Sequence, residues 1–126
     1  MKILAIDFGT KNLGLAMTDT DLEIVFPFGT MMNVEPKVFL NIKDLVLKED
    51  FEEIVFGLPL GMNNEETEAT GRVRAFAEKL KEHVEVPMHF VDERFSTHEA
   101  NNMGGESSVD EKSAMIILET YLSKKV

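Results

Sequence analysis

The sequence predicts an α/β domain: a five-stranded mixed sheet, ordered β-β-β-α-β-α-β-α, with helices packed on it. Two observations predict this, and a third marks where function would sit. The chain begins with two apolar runs, Lys2 to Phe8 and Leu13 to Thr18, joined by the turn Gly9 to Asn12, a link short enough to make the pair antiparallel. Later apolar runs at Ile54-Val55-Phe56 and Met88 to Val91 each follow a segment of helical periodicity, the pattern of parallel strands with crossover helices. Finally, a single acid, Asp7, sits near the end of the first apolar strand, where a carboxylate without a partner is costly.

The elements follow in order. Asp19-Thr20-Asp21 turns the chain into a third strand, Ile24 to Met32, which Pro27 marks as irregular or at a sheet edge. Pro36 suits the first position of a helix, and Val38, Phe39, Ile42, Leu45 and Val46 give that helix one apolar face. The fourth strand, Glu53 to Gly57, is apolar on both faces and belongs inside a sheet covered on both sides. Gly57 to Asn64 is a loop at its carboxyl end. A second helix carries Val73, Phe76, Ala77, Leu80 and Val84 inward, with Arg72, Arg74, Lys79 and Lys81 on its solvated side. The fifth strand, Met88 to Val91, runs into Asp92-Glu93-Arg94. Thr97 to Met103 reads as a short helix ended by Gly104-Gly105. Ser108 and Glu111 then fit a capping box before a last helix with Ala114, Ile117, Leu118, Tyr121 and Leu122 on one face.

With 126 residues the chain fits one domain, 1–126, with its own core. No apolar run reaches the ~18 residues that cross a bilayer, and Asp7 interrupts any signal-peptide core, so the expectation is a cytoplasmic protein without a membrane partner. The absence of cysteine excludes disulfides and thiolate metal sites, and His83, His89 and His98 lack zinc spacing. The net charge of −10 weighs against a broad basic face that coats nucleic acid. It leaves room for an acidic site whose cations bridge to phosphate.

Ligands of such sheets gather outside the carboxyl ends of the parallel strands. Those ends carry Asp7, the Gly57 to Asn64 loop and Asp92-Glu93-Arg94, and Asp110 joins them if the last helix starts at that edge. Carboxylates converging there would suit a hard cation, Mg²⁺ or Mn²⁺, and one cluster can hold two ions for phosphodiester hydrolysis. Taken singly, Asp110 equally fits a helix-dipole partner, and an isolated Lys such as Lys11 fits a solvated turn residue better. The acid runs Glu49-Asp50-Glu52-Glu53 and Glu65-Glu66-Glu68 read as solvated helix ends.

Two resemblances follow from these motifs. Ile6-Asp7-Phe8-Gly9-Thr10-Lys11 resembles the first phosphate loop of the actin, sugar-kinase and Hsp70 superfamily, but those ATPases need two such domains and a second loop. The fuller match is to the YqgF/RuvX family of ribonuclease H-like proteins. It rests on Asp7-Phe8-Gly9-Thr10-Lys11 with Gly14, on Ile54 to Leu60, on Val91-Asp92-Glu93-Arg94-Phe95-Ser96-Thr97, and on Val109-Asp110 with Ala114, Ile116, Ile117, Leu118 and Tyr121-Leu122. The resemblance implies a ribonuclease H-like fold and a two-metal nuclease that processes the 5′ end of precursor 16S rRNA. Asp7, Glu93 and Asp110 would be its acidic metal-binding and catalytic set, with Lys11 catalytic and Asp92 a further ligand position. Gly9, Thr10, Arg94, Arg72 and Arg74 are the substrate-binding candidates. The expected partner is structured precursor rRNA, bound by a monomer or weak dimer. Two alternatives stand beside it: a Holliday junction resolvase-like DNA nuclease, and a weakly active or non-catalytic RNA-binding ribosome assembly factor. The interval Phe95 to Ser108 is short and holds no Lys or Arg, which weighs against branched DNA.

Overall fold

The computed structural model describes residues 1–22, 24–92 and 109–124. The strands are β1 (Lys2–Asp7), β2 (Asn12–Asp19), β3 (Ile24–Met32), β4 (Phe51–Leu58) and β5 (Met88–Asp92). They form a sheet ordered β3-β2-β1-β4-β5, antiparallel among β1, β2 and β3 and parallel from β1 through β4 to β5. The helices are α1 (Lys37–Glu49), α2 (Glu68–Leu80) and α3 (Val109–Lys124). The expected topology and the common carboxyl edge of the three parallel strands are both present. The fourth strand is longer than its apolar centre, and Pro36 stands just before α1 rather than inside it.

Period-two alternation divides the core between the two faces of the sheet. Leu4 and Ile6 of β1, Leu13 and Leu15 of β2, and Ile54, Phe56 and Leu58 of β4 pack against Val38, Phe39 and Ile42 of α1 and Val73, Phe76 and Leu80 of α2. Ile3, Ala5, Ala16, Val55 and Val91 face the other way, against Ala114, Ile117, Leu118 and Tyr121 of α3. The chain is thus three layers, with α1 and α2 on one side and α3 on the other. Toward the carboxyl end of β1 the α3 face includes small residues: Ala5 pairs with Ala16, and Gly14 stands opposite Asp7. That lets α3 lie close across the antiparallel half of the sheet.

β3 is irregular, as Pro27 foretells. Leu15 pairs with Gly29 but Ala16 with Pro27, so Phe28 is the extra residue of a β-bulge. Gly29 takes φ +96°, a backbone conformation that favours glycine.

One surface reading is corrected. Glu53 is not at a solvated helix end: it lies in β4, buried, on the parity of Val55 and facing α3. Tyr121 Oη donates to Glu53 Oε1 at 2.6 Å, and His89 Nε2 lies 3.1 Å from the same oxygen. The His89 and Tyr121 rings stack at 5.2 Å. Hydrogen-bonding partners make a buried carboxylate tolerable, so an acid can hold an interior strand position.

Candidate nucleic-acid cleavage site

Asp7 ends β1, the central strand. Its neighbour Phe8 has the opposite parity and packs on Phe76 of α2, ring centroids 5.2 Å apart. That contact fixes the strand end and leaves Asp7 on the α3 face. Directly opposite Asp7 in the β1–β2 ladder is Gly14. Side chains of such a pair project to the same face. A Cβ on Gly14 would overlap the carbonyl of Asp110 and lie 2.9 Å from the Asp110 Cβ. The first turn of α3 therefore rests on the backbone of Gly14. Asp7 and Asp110, far apart in sequence, flank this one glycine at the carboxyl edge of the sheet.

The turn after β1 is held from the side. Gly9 cannot carry a side chain, because a Cβ there would overlap the carbonyl oxygen of Asn12. Asn33, just past β3, donates its backbone N–H to Lys11 O at 2.8 Å and its Nδ2 to Gly9 O at 2.9 Å. Thr10 and Lys11 lie exposed at the tip. The loop beyond β4 is tied down as well: Thr70 Oγ1 donates to Pro59 O, and Thr67 N donates to Thr70 Oγ1 at 3.0 Å. Asn33 was not among the residues singled out from sequence. No local pattern marks a residue whose role is to bridge two turns.

The remaining candidates are placed as follows. Asp92 ends β5 opposite Leu58. Phe90 packs with the α1–α2 core and Val91 with the α3 core, so strand alternation gives Asp92 the face opposite to Asp7. Arg74 is exposed on α2, paired through Nε and Nη2 with both Glu66 carboxylate oxygens at 2.7 and 3.1 Å, and lies over the Phe90 ring at 5.5 Å. The hydrogen bond to Glu66 raises its guanidinium pKa further above the usual value, so it stays charged throughout the working pH range. Arg72 makes an exposed pair with Glu68 at 3.7 Å. Glu93 and Arg94, the short helix at Thr97 to Met103 and the cap residue Ser108 lie outside the described residues. Among the described residues, no three His, Cys, Asp or Glu side chains converge as a metal cage. Asp7 and Asp110, on the two sides of Gly14, offer oxygen donors, the chemistry that hard divalent cations select.

A three-layer sheet of this topology, with acids at its carboxyl edge, defines a ribonuclease H-like domain. Two solved structures of Thermus thermophilus RuvC share the fold: the one in complex with a Holliday junction substrate at TM-score 0.65, 13% identity, 99% of this chain and 96% of that one, and a second at TM-score 0.63 and 11% identity with the same coverage. The family model RuvX, described as Holliday junction resolvase, matches residues 1–124. A protein of Maridesulfovibrio salexigens, provisionally named a pre-16S rRNA nuclease, is 38% identical over 98% of this chain and 99% of its own length. A Rickettsia rickettsii protein of the same name is 32% identical over 95% of this chain and 84% of its own. The chain belongs to the RuvX family.

Proposed function

We propose that this chain is a metal-dependent nuclease that hydrolyses phosphodiester bonds of structured RNA, at the 5′ end of precursor 16S rRNA in the cytoplasm. The observation that carries the reading is the seating of Asp110 on Gly14, beside Asp7. It sets two carboxylates on one face of the sheet at the edge where parallel strands present ligands. The names of the relatives supply the substrate class.

Asp7 and Asp110, with Glu93 as third ligand, would hold Mg²⁺ or Mn²⁺. Asp92 ends β5 on the face opposite to Asp7, so Glu93, the acid put forward by the family resemblance, is preferred to it as third ligand. A bound divalent ion of this kind supplies a more acidic water and neutralises phosphate charge, and two ions do so on both sides of the scissile bond. The protein's own cations add to this. Lys11 at the exposed turn, with Arg94, would face the charge that develops on the phosphate oxygens as water adds to phosphorus and the ester oxygen leaves. Gly9 and Thr10 leave room for the phosphate beside Asp7. Arg72 and Arg74 would meet more distant phosphates from α2.

The test is Mn²⁺-dependent cleavage of a precursor 16S rRNA fragment by wild type and Asp7→Asn, with a four-way DNA junction as a second substrate. Cleavage of the RNA by wild type and a loss of at least a hundredfold in Asp7→Asn are expected. Equal cleavage by both proteins refutes the mechanism. Preference for the junction would move the substrate to branched DNA. Tight RNA binding without Mn²⁺ binding would favour the assembly-factor reading, which the net charge of −10 and the uncharged-to-acidic interval 95–108 also support.

A further inference from the structure

Beside Asp110 stands an acid that the proposed chemistry does not use. Glu111 lies in the first turn of α3, and its Oε2 accepts the backbone N–H of Gly29 at 2.7 Å. Gly29 is no ordinary strand residue. It follows the extra residue Phe28 of the β3 bulge and takes φ +96°. A bulge turns backbone groups out of the regular ladder. Here one such N–H meets a carboxylate from the helix lying above. The bond is short and charge-assisted, and it joins residues 82 positions apart in the chain.

We infer that Glu111 is a positioning residue: by gripping the bulge amide of Gly29 it holds the first turn of α3 down on the sheet and so fixes Asp110 against Gly14. This rests on the reading of Asp7 and Asp110 as metal-binding carboxylates. The geometry of the grip fits the role. Gly29 pairs with Leu15, the residue after Gly14, so the anchor and the seat of Asp110 occupy neighbouring rungs of the β2–β3 ladder. Core packing through Ala114, Ile117 and Leu118, together with the Tyr121–Glu53 bond, anchors α3 further along. The first turn carries exposed Val109 and Asp110, so apolar burial does little to hold it, and the Glu111–Gly29 bond supplies a tie there. β3 thereby braces both walls of the site, α3 through Gly29 and the Gly9–Lys11 turn through Asn33.

The experiment compares Glu111→Ala, Glu111→Gln and Asp7→Asn with wild type by Mn²⁺ calorimetry and by amide hydrogen exchange in the metal-free protein. Gln keeps an acceptor oxygen and loses the charge. Glu111→Ala is expected to weaken Mn²⁺ binding by about tenfold, in the range for partners that orient metal ligands. It should also speed exchange at Gly29, Ser113 and Ala114 while the rest of α3 stays protected. Glu111→Gln should restore both largely to wild type. Unchanged exchange in Glu111→Ala overturns the grip. Mn²⁺ affinity lost equally in Glu111→Ala and Glu111→Gln overturns it too, since Glu111 would then act as a charged ligand. Faster exchange with unchanged Mn²⁺ affinity, while Asp7→Asn loses Mn²⁺, overturns the positioning role and leaves the nuclease reading standing. If Asp7→Asn also binds Mn²⁺ like wild type, the failure lies in the metal-site reading itself, and the positioning role falls with it.

Discussion

Gly14→Ala is the substitution that most directly tests the site. One methyl group is added, with no change of charge, at a buried position in the middle of a regular strand. It points into Asp110: its carbon would overlap the Asp110 carbonyl and stand 2.9 Å from the Asp110 Cβ. Carbon atoms rest about 3.5–4.0 Å apart and the carbonyl overlap is deeper than the Cβ contact, so the first turn of α3 has to withdraw by at least about 1 Å. The obstacle is backbone, and no rotamer change relieves it. Overpacking of this kind costs about 1–3 kcal/mol, which for a domain of this size lowers the melting temperature by about 5–10 °C. The effect on cleavage is expected to be larger than the loss of fold. A displacement near 1 Å in a catalytic constellation is enough for about a hundredfold loss of rate. The assay is Mn²⁺-dependent cleavage of a precursor 16S rRNA fragment well below the variant's melting temperature, alongside thermal unfolding. Wild-type cleavage by a folded Gly14→Ala protein would refute the claim that the seat of Asp110 on Gly14 forms the site. Loss of stability with wild-type cleavage would show that the contact is packing alone.

Two further perturbations separate support from chemistry. Tyr121→Phe removes the hydroxyl that donates to Glu53 and is expected to lower the melting temperature by about 5–10 °C, the consequence of weakening a buried hydrogen bond to a charged group by about 1–3 kcal/mol. Its cleavage rate at 25 °C should stay within about twofold of wild type, and a rate loss without a change in melting temperature would contradict the structural role. Arg72→Ala and Arg74→Ala break exposed ion pairs and should move the melting temperature by no more than about 2 °C. If α2 meets RNA phosphates, each lowers the slope of log affinity against log salt by about 0.7, as measured by RNA binding between 50 and 200 mM salt; an unchanged slope would remove α2 from the interface.

The fold was legible because its signals are local. Short glycine-bearing links impose antiparallel pairing, and helical segments between apolar strands impose parallel crossovers. The place of Asp7 at the end of the central strand was legible for a related reason: an acid on an apolar strand stands out without any neighbour being known. Glu53 was misread because it sits in a run of acids, and its burial depends on Tyr121 and His89, which reach it from α3 and β5. Of the bridging residues, Asn33 was missed in the same way, and Glu111 was read only as the capping-box partner of Ser108. Asn33 and Glu111 work through backbone groups of Gly9, Lys11 and Gly29, and a backbone N–H or carbonyl leaves no mark in a sequence. Pro27 did signal irregularity in β3, but a proline announces a break in the ladder without saying what the freed amides will bind.

α3 divides along its length into two kinds of attachment. Its middle and far end are held by apolar packing and by the Tyr121–Glu53 bond, over the parallel half of the sheet as well as the antiparallel half. Its beginning is held by Gly14, a residue that contributes the absence of a side chain, and by the Gly29–Glu111 bond. These attachments respond differently to change. The apolar one tolerates volume-conserving substitutions, because many small contacts share the load. The one at the start rests on particular contacts, and a methyl group at Gly14 or the loss of the acceptor at Glu111 is expected to act on the position of Asp110. On the proposed reading, variation that preserves the fold can therefore displace Asp110 from beside Asp7. Conversely, a protein with this sheet and this helix has the Asp7–Asp110 geometry only if the residue paired with the β1 acid is small enough to let the helix down. Gly14, with no chemistry of its own, is the residue on which that geometry depends.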